Sequence, residues 1–459
     1  MLPNGLSLCK HSICLTVFVY GCYYSSMYLK GSKWSMNKRR RPPNLWLIGF
    51  LLLGIGSLVY INIYVIPTIP PPFVPSPTPT RNPRSFAEEA ASYLSEGRTA
   101  LAMESYQAAI KADPQEISNY IALAKLQIYN GEYEAAQVNA ENALLLDRSN
   151  ANAFALLGWA KGFSGDYLEA EADINAGLDI DPNNALLHAV NAYVLALQVS
   201  NNVGEIGTVD LAIEESRLAV DLNPQLLESR WARGYVLEIT SNYEEAIQEL
   251  QAAVEINDTV AEVHMALGRN YLAIEEYDQA VFEFTKAYSL NPADPDPNWY
   301  ISRVYARIGE FAKAVQYAEQ AVSTDPSDPY LHGNLGSMYY RDLQYNRALE
   351  SLELAVRGGQ TEEGVVVEGL PLDYSLTIME YYSRYGLALA RVNRCNEAVQ
   401  VAQAMLQTVP DDETAVYNAG VIIETCQEMQ ENPPTETPAA EEEGEESSPT
   451  LMPTTTPTP

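Results

Sequence analysis

Two hydrophobic patterns divide the chain. Residues 45–66, LWLIGFLLLGIGSLVYINIYVI, run unbroken without a charged side chain. At 1.5 Å per residue the stretch reaches about 33 Å, against a hydrocarbon core of about 30 Å, and predicts a transmembrane helix. From Phe86 onward the pattern changes. Apolar positions recur three and four apart in paired stretches, which predicts pairs of amphipathic helices. Ala, Tyr, Gly and Pro return in register about every 34 residues along these pairs.

Residues 261–292, AEVHMALGRNYLAIEEYDQAVFEFTKAYSLNP, carry the pattern most fully. Leu267, Gly268 and Tyr271 fall on a first helix, and Ala280, Phe284, Ala287 and Pro292 on or after a second. Nine units are counted between residues 85 and 430. The fourth is eight residues too long, near 201–209, and predicts an extended loop. A sixteen-residue excess near 358–371, valines between glycines, predicts a loop or short hairpin before the ninth unit. Residues 411–430 read as one further helix covering the last apolar face.

The spacing L-G-x2-Y, A-x3-F and closing Pro resembles the tetratricopeptide repeat. The resemblance implies an all-α, right-handed superhelix (solenoid) of about nine helix pairs plus a terminal capping helix, preceded here by the one N-terminal transmembrane helix. It also implies that first helices line a concave groove for a protein or peptide. Departures exist: few units keep Trp at the first signature position, and several lack the closing Pro. Counting within units puts Trp159, Tyr193, Trp231, Tyr235, Arg269, Trp299, Arg303, Arg307, Tyr340 and Arg341 on the groove face. Arg269 and Arg303, and Arg307 and Arg341, share repeat positions and are expected to stack as two short ladders. Arg and Trp dominate interface energetics, whereas the alternative is that the arginines pair with nearby Glu and the rings complete helix packing.

Charge is unevenly placed. Nine of 28 Lys/Arg and none of 60 Asp/Glu lie in residues 1–84, leaving a formal −41 on the rest. That excess repels nucleic acid and anionic headgroups, so no nucleic-acid partner is expected. Lys38, Arg39, Arg40 and Arg41 precede the apolar run, and the nearest charges beyond it are Arg81 and Arg84. The positive-inside rule then puts the N-terminus in the cytoplasm and the array outside, in a single-pass cell-membrane protein. A cleaved leader would show a shorter apolar core and a small-residue cleavage site, and Pro67 follows instead.

The resulting organisation is an atypical extension over 1–35, a basic cytoplasmic segment over 36–44, the transmembrane helix over 45–66, a Pro-rich stalk over 67–84, the array over 85–430 and an acidic Pro/Thr-rich tail over 431–459. Translation is expected to begin at Met36, because a basic run followed by an apolar one is how exported or anchored chains open. The stalk's prolines favour an extended spacer of up to roughly 55 Å. The tail's seven Glu, without Lys or Arg, predict disorder.

Candidate chemistry is sparse. Cys9, His11, Cys14 and Cys22 lack a pattern that would hold a tetrahedral metal. His188, His264 and His332 share one repeat position in units four, six and eight, too far apart for one metal site, and are expected to pack. No Ser-nucleophile, zincin, phosphate-loop or CxxC motif occurs in the array. No cofactor, metal or enzymatic activity is expected. Cys395 begins the second helix of unit nine and Cys426 ends the next helix, so the pair is a candidate disulfide outside the cytoplasm, the alternative being two reduced, buried cysteines. The favoured function is a scaffold for protein interaction or complex assembly; the alternatives are a cell-envelope enzyme or its accessory subunit, and a structural spacer in a surface layer.

Overall fold

The computed structural model describes residues 44–61, 63 and 82–431. The expectations for residues 1–43, the stalk and residues 432–459 lie outside them. Two compact units divide the chain, residues 1–80 and 81–459.

The first unit contributes α1 (Leu45–Tyr60), sixteen residues with an apolar surface all round and no buried side chain. Ile61 and Ile63 continue it as π-helix, and residues 62 and 64–66 of the expected 45–66 span are not among those described. No described helix is long and apolar enough to cross a membrane.

The second unit is a stack of helix pairs: α2 (Pro83–Ser95) with α3 (Thr99–Ala112), α4 (Ile117–Tyr129) with α5 (Tyr133–Leu146), α6 (Ala151–Phe163) with α7 (Tyr167–Ile180), α8 (Ala185–Ser200) with α9 (Thr208–Leu222) and α10 (Leu227–Ile239) with α11 (Tyr243–Ile256). It continues with α12 (Ala261–Ala273) and α13 (Tyr277–Leu290), α14 (Asp296–Arg307) and α15 (Phe311–Thr324), α16 (Pro329–Arg341) and α17 (Tyr345–Arg357), α18 (Leu376–Arg391) and α19 (Cys395–Thr408), and ends on α20 (Glu413–Glu431). Among the described residues the one departure from an all-helical fold is the hairpin β1 (Gly359–Gln360) and β2 (Val366–Val367), antiparallel with Gly359 opposite Val367. It occupies the longer of the two excess stretches, and residues 201–207 form the other as a loop between α8 and α9.

Small residues set the spacing of the stack. Ala102, Ala136, Ala170, Ala212, Ala246, Ala280, Ala314, Ala348 and Ala398 start the second helices and are all fully buried, so each second helix lies close on its neighbours. On the first helices, Gly268 lets the Phe284 ring pack against bare backbone, where an added Cβ would overlap it. The turn within each pair needs one left-handed residue: Gly97, Gly131, Gly165 and Gly309 supply it in four pairs, Asn202, Ser241, Glu275, Leu343 and Asn393 in the other five.

The three equivalent histidines bind the pairs together. His188 and His264 each place Nδ1 2.6 Å from a second-helix carboxylate, Glu215 and Glu283, and Nε2 3.0 and 3.1 Å from the carbonyls of Pro182 and Asp258. His332 Nε2 meets the Pro326 carbonyl at 3.0 Å. These are packing contacts in three separate repeats. Cys395 and Cys426 are joined by a disulfide, Cα atoms 5.5 Å apart, fastening α20 to the start of α19.

Candidate binding groove

First helices line one wall of the stack: α4 meets α6, α6 meets α8, α8 meets α10, and α10 meets α12, while α14, α16, α18 and α20 repeat the contact further on. Every side chain that the 34-residue count assigned to the groove lies on these helices, and the wall differs sharply between its two halves.

In the first half the wall closes on itself. Trp159 and Trp231 are each 1% exposed and Tyr193 is 5% exposed. Their rings pack with centroids 5.2 Å apart for Trp159 and Trp231 and 5.4 Å for Tyr193 and Trp231, and Tyr129 joins edge-on at 6.0 Å. Tyr235 stacks on Tyr193 at 4.5 Å and stays half-buried. The assignment of Trp159, Tyr193 and Trp231 to an open binding surface is therefore corrected: they face inward but form core. The cause is the tightness of the coil. It brings α4 across to α10, where the buried Glu228 carboxylate accepts from Tyr129 Oη at 2.5 Å and pairs with Lys125 Nζ. A concavity of about 360 Å³ remains beside this contact.

Arg269 on α12 is neutralised rather than offered. Its Nε and Nη2 donate to the two Glu238 oxygens at 2.7 and 3.1 Å, a bidentate pair that occupies the guanidinium face. The expected ladder of Arg269 with Arg303 is absent from the contacts the two residues make.

In the second half basic side chains gather on α14, α16 and α18, half-buried. Arg303 lies 4.8 Å over the Trp299 ring, and Arg384 5.1 Å over the Tyr340 ring. Arg303 and Arg341 approach the same carboxylate, Glu380, at 4.0 and 3.8 Å. Burial first, then the like charges of Arg384 and Arg303, hold the Arg341 guanidinium below its ordinary range against the pull of Glu380. Arg341 Nε is buried without a hydrogen-bond partner. Arg307 is exposed and has no ion pair among the described residues. Two guanidiniums, Arg303 and Arg341, thus share one carboxylate, and a third, Arg384, lies over the neighbouring Tyr340 ring. Arg303 and Arg341 meet through Glu380, not as ladder partners of Arg269 and Arg307. Sequence counting missed Arg384 and Glu380 because the sixteen-residue excess ahead of α18 breaks the period on which counting relies.

Among the described residues no group of three His, Cys, Asp or Glu is placed to hold a metal ion. The helical pairs match tetratricopeptide-repeat profiles over residues 84–116, 151–184, 227–259 and 275–338. The matched segments are tetratricopeptide repeats. Solved structures similar to the chain include PilF of Pseudomonas aeruginosa, 23% identical over 45% of this chain and 91% of that one, with a TM-score of 0.38. A tetratricopeptide repeat protein from Parabacteroides merdae is 14% identical over 55% of this chain and 97% of its own, with a TM-score of 0.35. Stacked tetratricopeptide repeats suit protein interaction, since each helix pair adds one strip to a continuous side-chain surface.

Proposed function

We propose that the protein is a membrane-anchored tetratricopeptide-repeat scaffold whose groove, over α14, α16 and α18, receives an acidic segment of a partner protein outside the cytoplasm. The observation that carries the binding half is that Arg303 and Arg341 share the single Glu380 carboxylate while Arg384 lies over the Tyr340 ring and Arg303 over the Trp299 ring. A carboxylate from a partner would complete the charge balance, and Arg is suited to planar pairing with it.

The anchor rests on the uncharged run of residues 45–66 behind Lys38, Arg39, Arg40 and Arg41. The Cys395–Cys426 disulfide supports an oxidising compartment for the array. Protease added to intact cells should degrade the array, and alkaline carbonate should leave the chain in the membrane pellet. An array protected in intact cells, or a chain released by carbonate, overturns the anchored, external reading. The binding half is tested by titrating the full chain with a labelled acidic peptide and comparing variants of Arg303, Arg341 and Arg384.

A further inference from the structure

Between the buried aromatic cluster and the arginines of α14, α16 and α18 lies a concavity of about 510 Å³. Four successive first helices contribute to it: Tyr193 from α8, Tyr235 from α10, Glu262 and Arg269 from α12, and Tyr300 from α14. Its charges do not balance. Arg269 donates to Glu238 through two of its three nitrogens, Nε and Nη2. Glu262 is half-buried and, among the described residues, accepts no hydrogen bond and forms no ion pair. Asp294 and Asp296 stand near it without a basic partner, Asp294 accepting only the Asp296 backbone N–H at 2.9 Å.

The groups facing Glu262 come from several elements. Arg269 favours its charged form, Asp294 and Asp296 oppose it, and Tyr133 and Tyr193 feel its charge in turn. Burial is the largest influence, and together they push the Glu262 carboxyl up to about 7. A carboxylate taken out of water without a counter-ion is costly, and a cation arriving beside it repays part of that cost. Aromatic faces around such a carboxylate add attraction for the same charge.

We propose that this concavity is a binding site for a basic side chain, an ammonium or guanidinium group, of the segment that occupies the groove. The site rests on the reading that a peptide lies there, and it adds a second, opposite charge requirement: a basic residue at the Tyr193, Tyr235, Tyr300 and Glu262 pocket, and an acidic one at Arg303, Arg341 and Arg384. The partner is thereby defined as a segment of mixed charge in a fixed order along the stack.

The test uses the full chain in detergent and saturation-transfer NMR with three probes: N-acetyl-lysine methylamide, N-acetyl-arginine methylamide and the uncharged N-acetyl-norleucine methylamide. At pH 8.5 the lysine or arginine probe should receive saturation and the norleucine probe should not. The signal should fall at least fivefold at pH 5.5, where Glu262 is protonated, and at least fivefold in Glu262→Gln at pH 8.5. Because the Glu262 carboxyl makes no hydrogen bond, Glu262→Gln should keep the wild-type helical spectrum and thermal transition. Equal binding of the norleucine probe, an undiminished signal at pH 5.5, or full lysine and arginine binding by Glu262→Gln overturns the site. The acidic-peptide titration stands apart from these results: its failure in the wild-type chain with the cation signal intact sinks the arginine reading and leaves the cation pocket standing.

Discussion

At the scale of single residues, the turn inside each helix pair shows how the repeat tolerates local cost. Leu343 and Glu275 sit at φ of about 63° where four sister turns carry glycine. A left-handed conformation costs a side-chain-bearing residue roughly 1–2 kcal/mol, part of which glycine loses again to unfolded-chain entropy. Leu343→Gly and Glu275→Gly should each raise stability by about 0.5–1 kcal/mol, read as a higher thermal transition of the full chain; a fall in either variant contradicts the account of these turns. The recurring glycines were legible because they return with the period. Leu343 was not, since a 71%-exposed leucine in a turn leaves no pattern behind. The count along the period put Trp159, Tyr193 and Trp231 on first helices, where they are buried. What one repeat cannot reveal is whether such a side chain ends up buried, because Trp231 packs on Tyr129, which arrives from a hundred residues earlier.

At the scale of elements, packing within and between pairs makes two demands that can be separated. Gly268 and Phe284 belong to one pair, and a methyl group on Gly268 meets the buried Phe284 ring. Gly268→Ala should destabilise the chain by about 1–3 kcal/mol through overpacking, and a thermal transition equal to wild type would show that α12 and α13 shift apart freely. The last element is held differently. α20 has no following pair among the described residues to cover it, and the Cys395–Cys426 bridge closes a loop across a separation of 31 residues. By the chain-entropy model such a loop contributes about 3–4 kcal/mol. Replacing both cysteines with Ser should speed hydrogen exchange in α19 and α20 while leaving α6 unchanged, because stability in stacked repeats is local. Uniform acceleration across the array, or none in α20, contradicts that assignment. The irregular hairpin and the α8–α9 loop were visible only as surplus length. Their cost to sequence reading falls on α18, where Arg384 and Glu380 dropped out of register.

At the scale of the whole array, the first helices of an acidic chain carry three different surroundings: a buried aromatic cluster, a tyrosine-lined concavity with Glu262, and a half-buried group of arginines. Local composition, not the formal −32 of the chain, decides what each part attracts. The excess of arginine over Glu380 is the reason the arginine group is assigned to an acidic partner. The direct test is a fluorescence-polarisation titration of the full-length chain with a fluorescein-labelled peptide of alternating Glu and Gly, beside the same peptide with Gln for Glu. Arg303→Ala, Arg341→Ala and Arg384→Ala, combined, should weaken the Glu peptide at least tenfold, about 1.4 kcal/mol or more, and added salt should weaken wild-type binding. Affinity that is unchanged in the triple variant, or equal for the Glu and Gln peptides, would contradict the assignment of this groove.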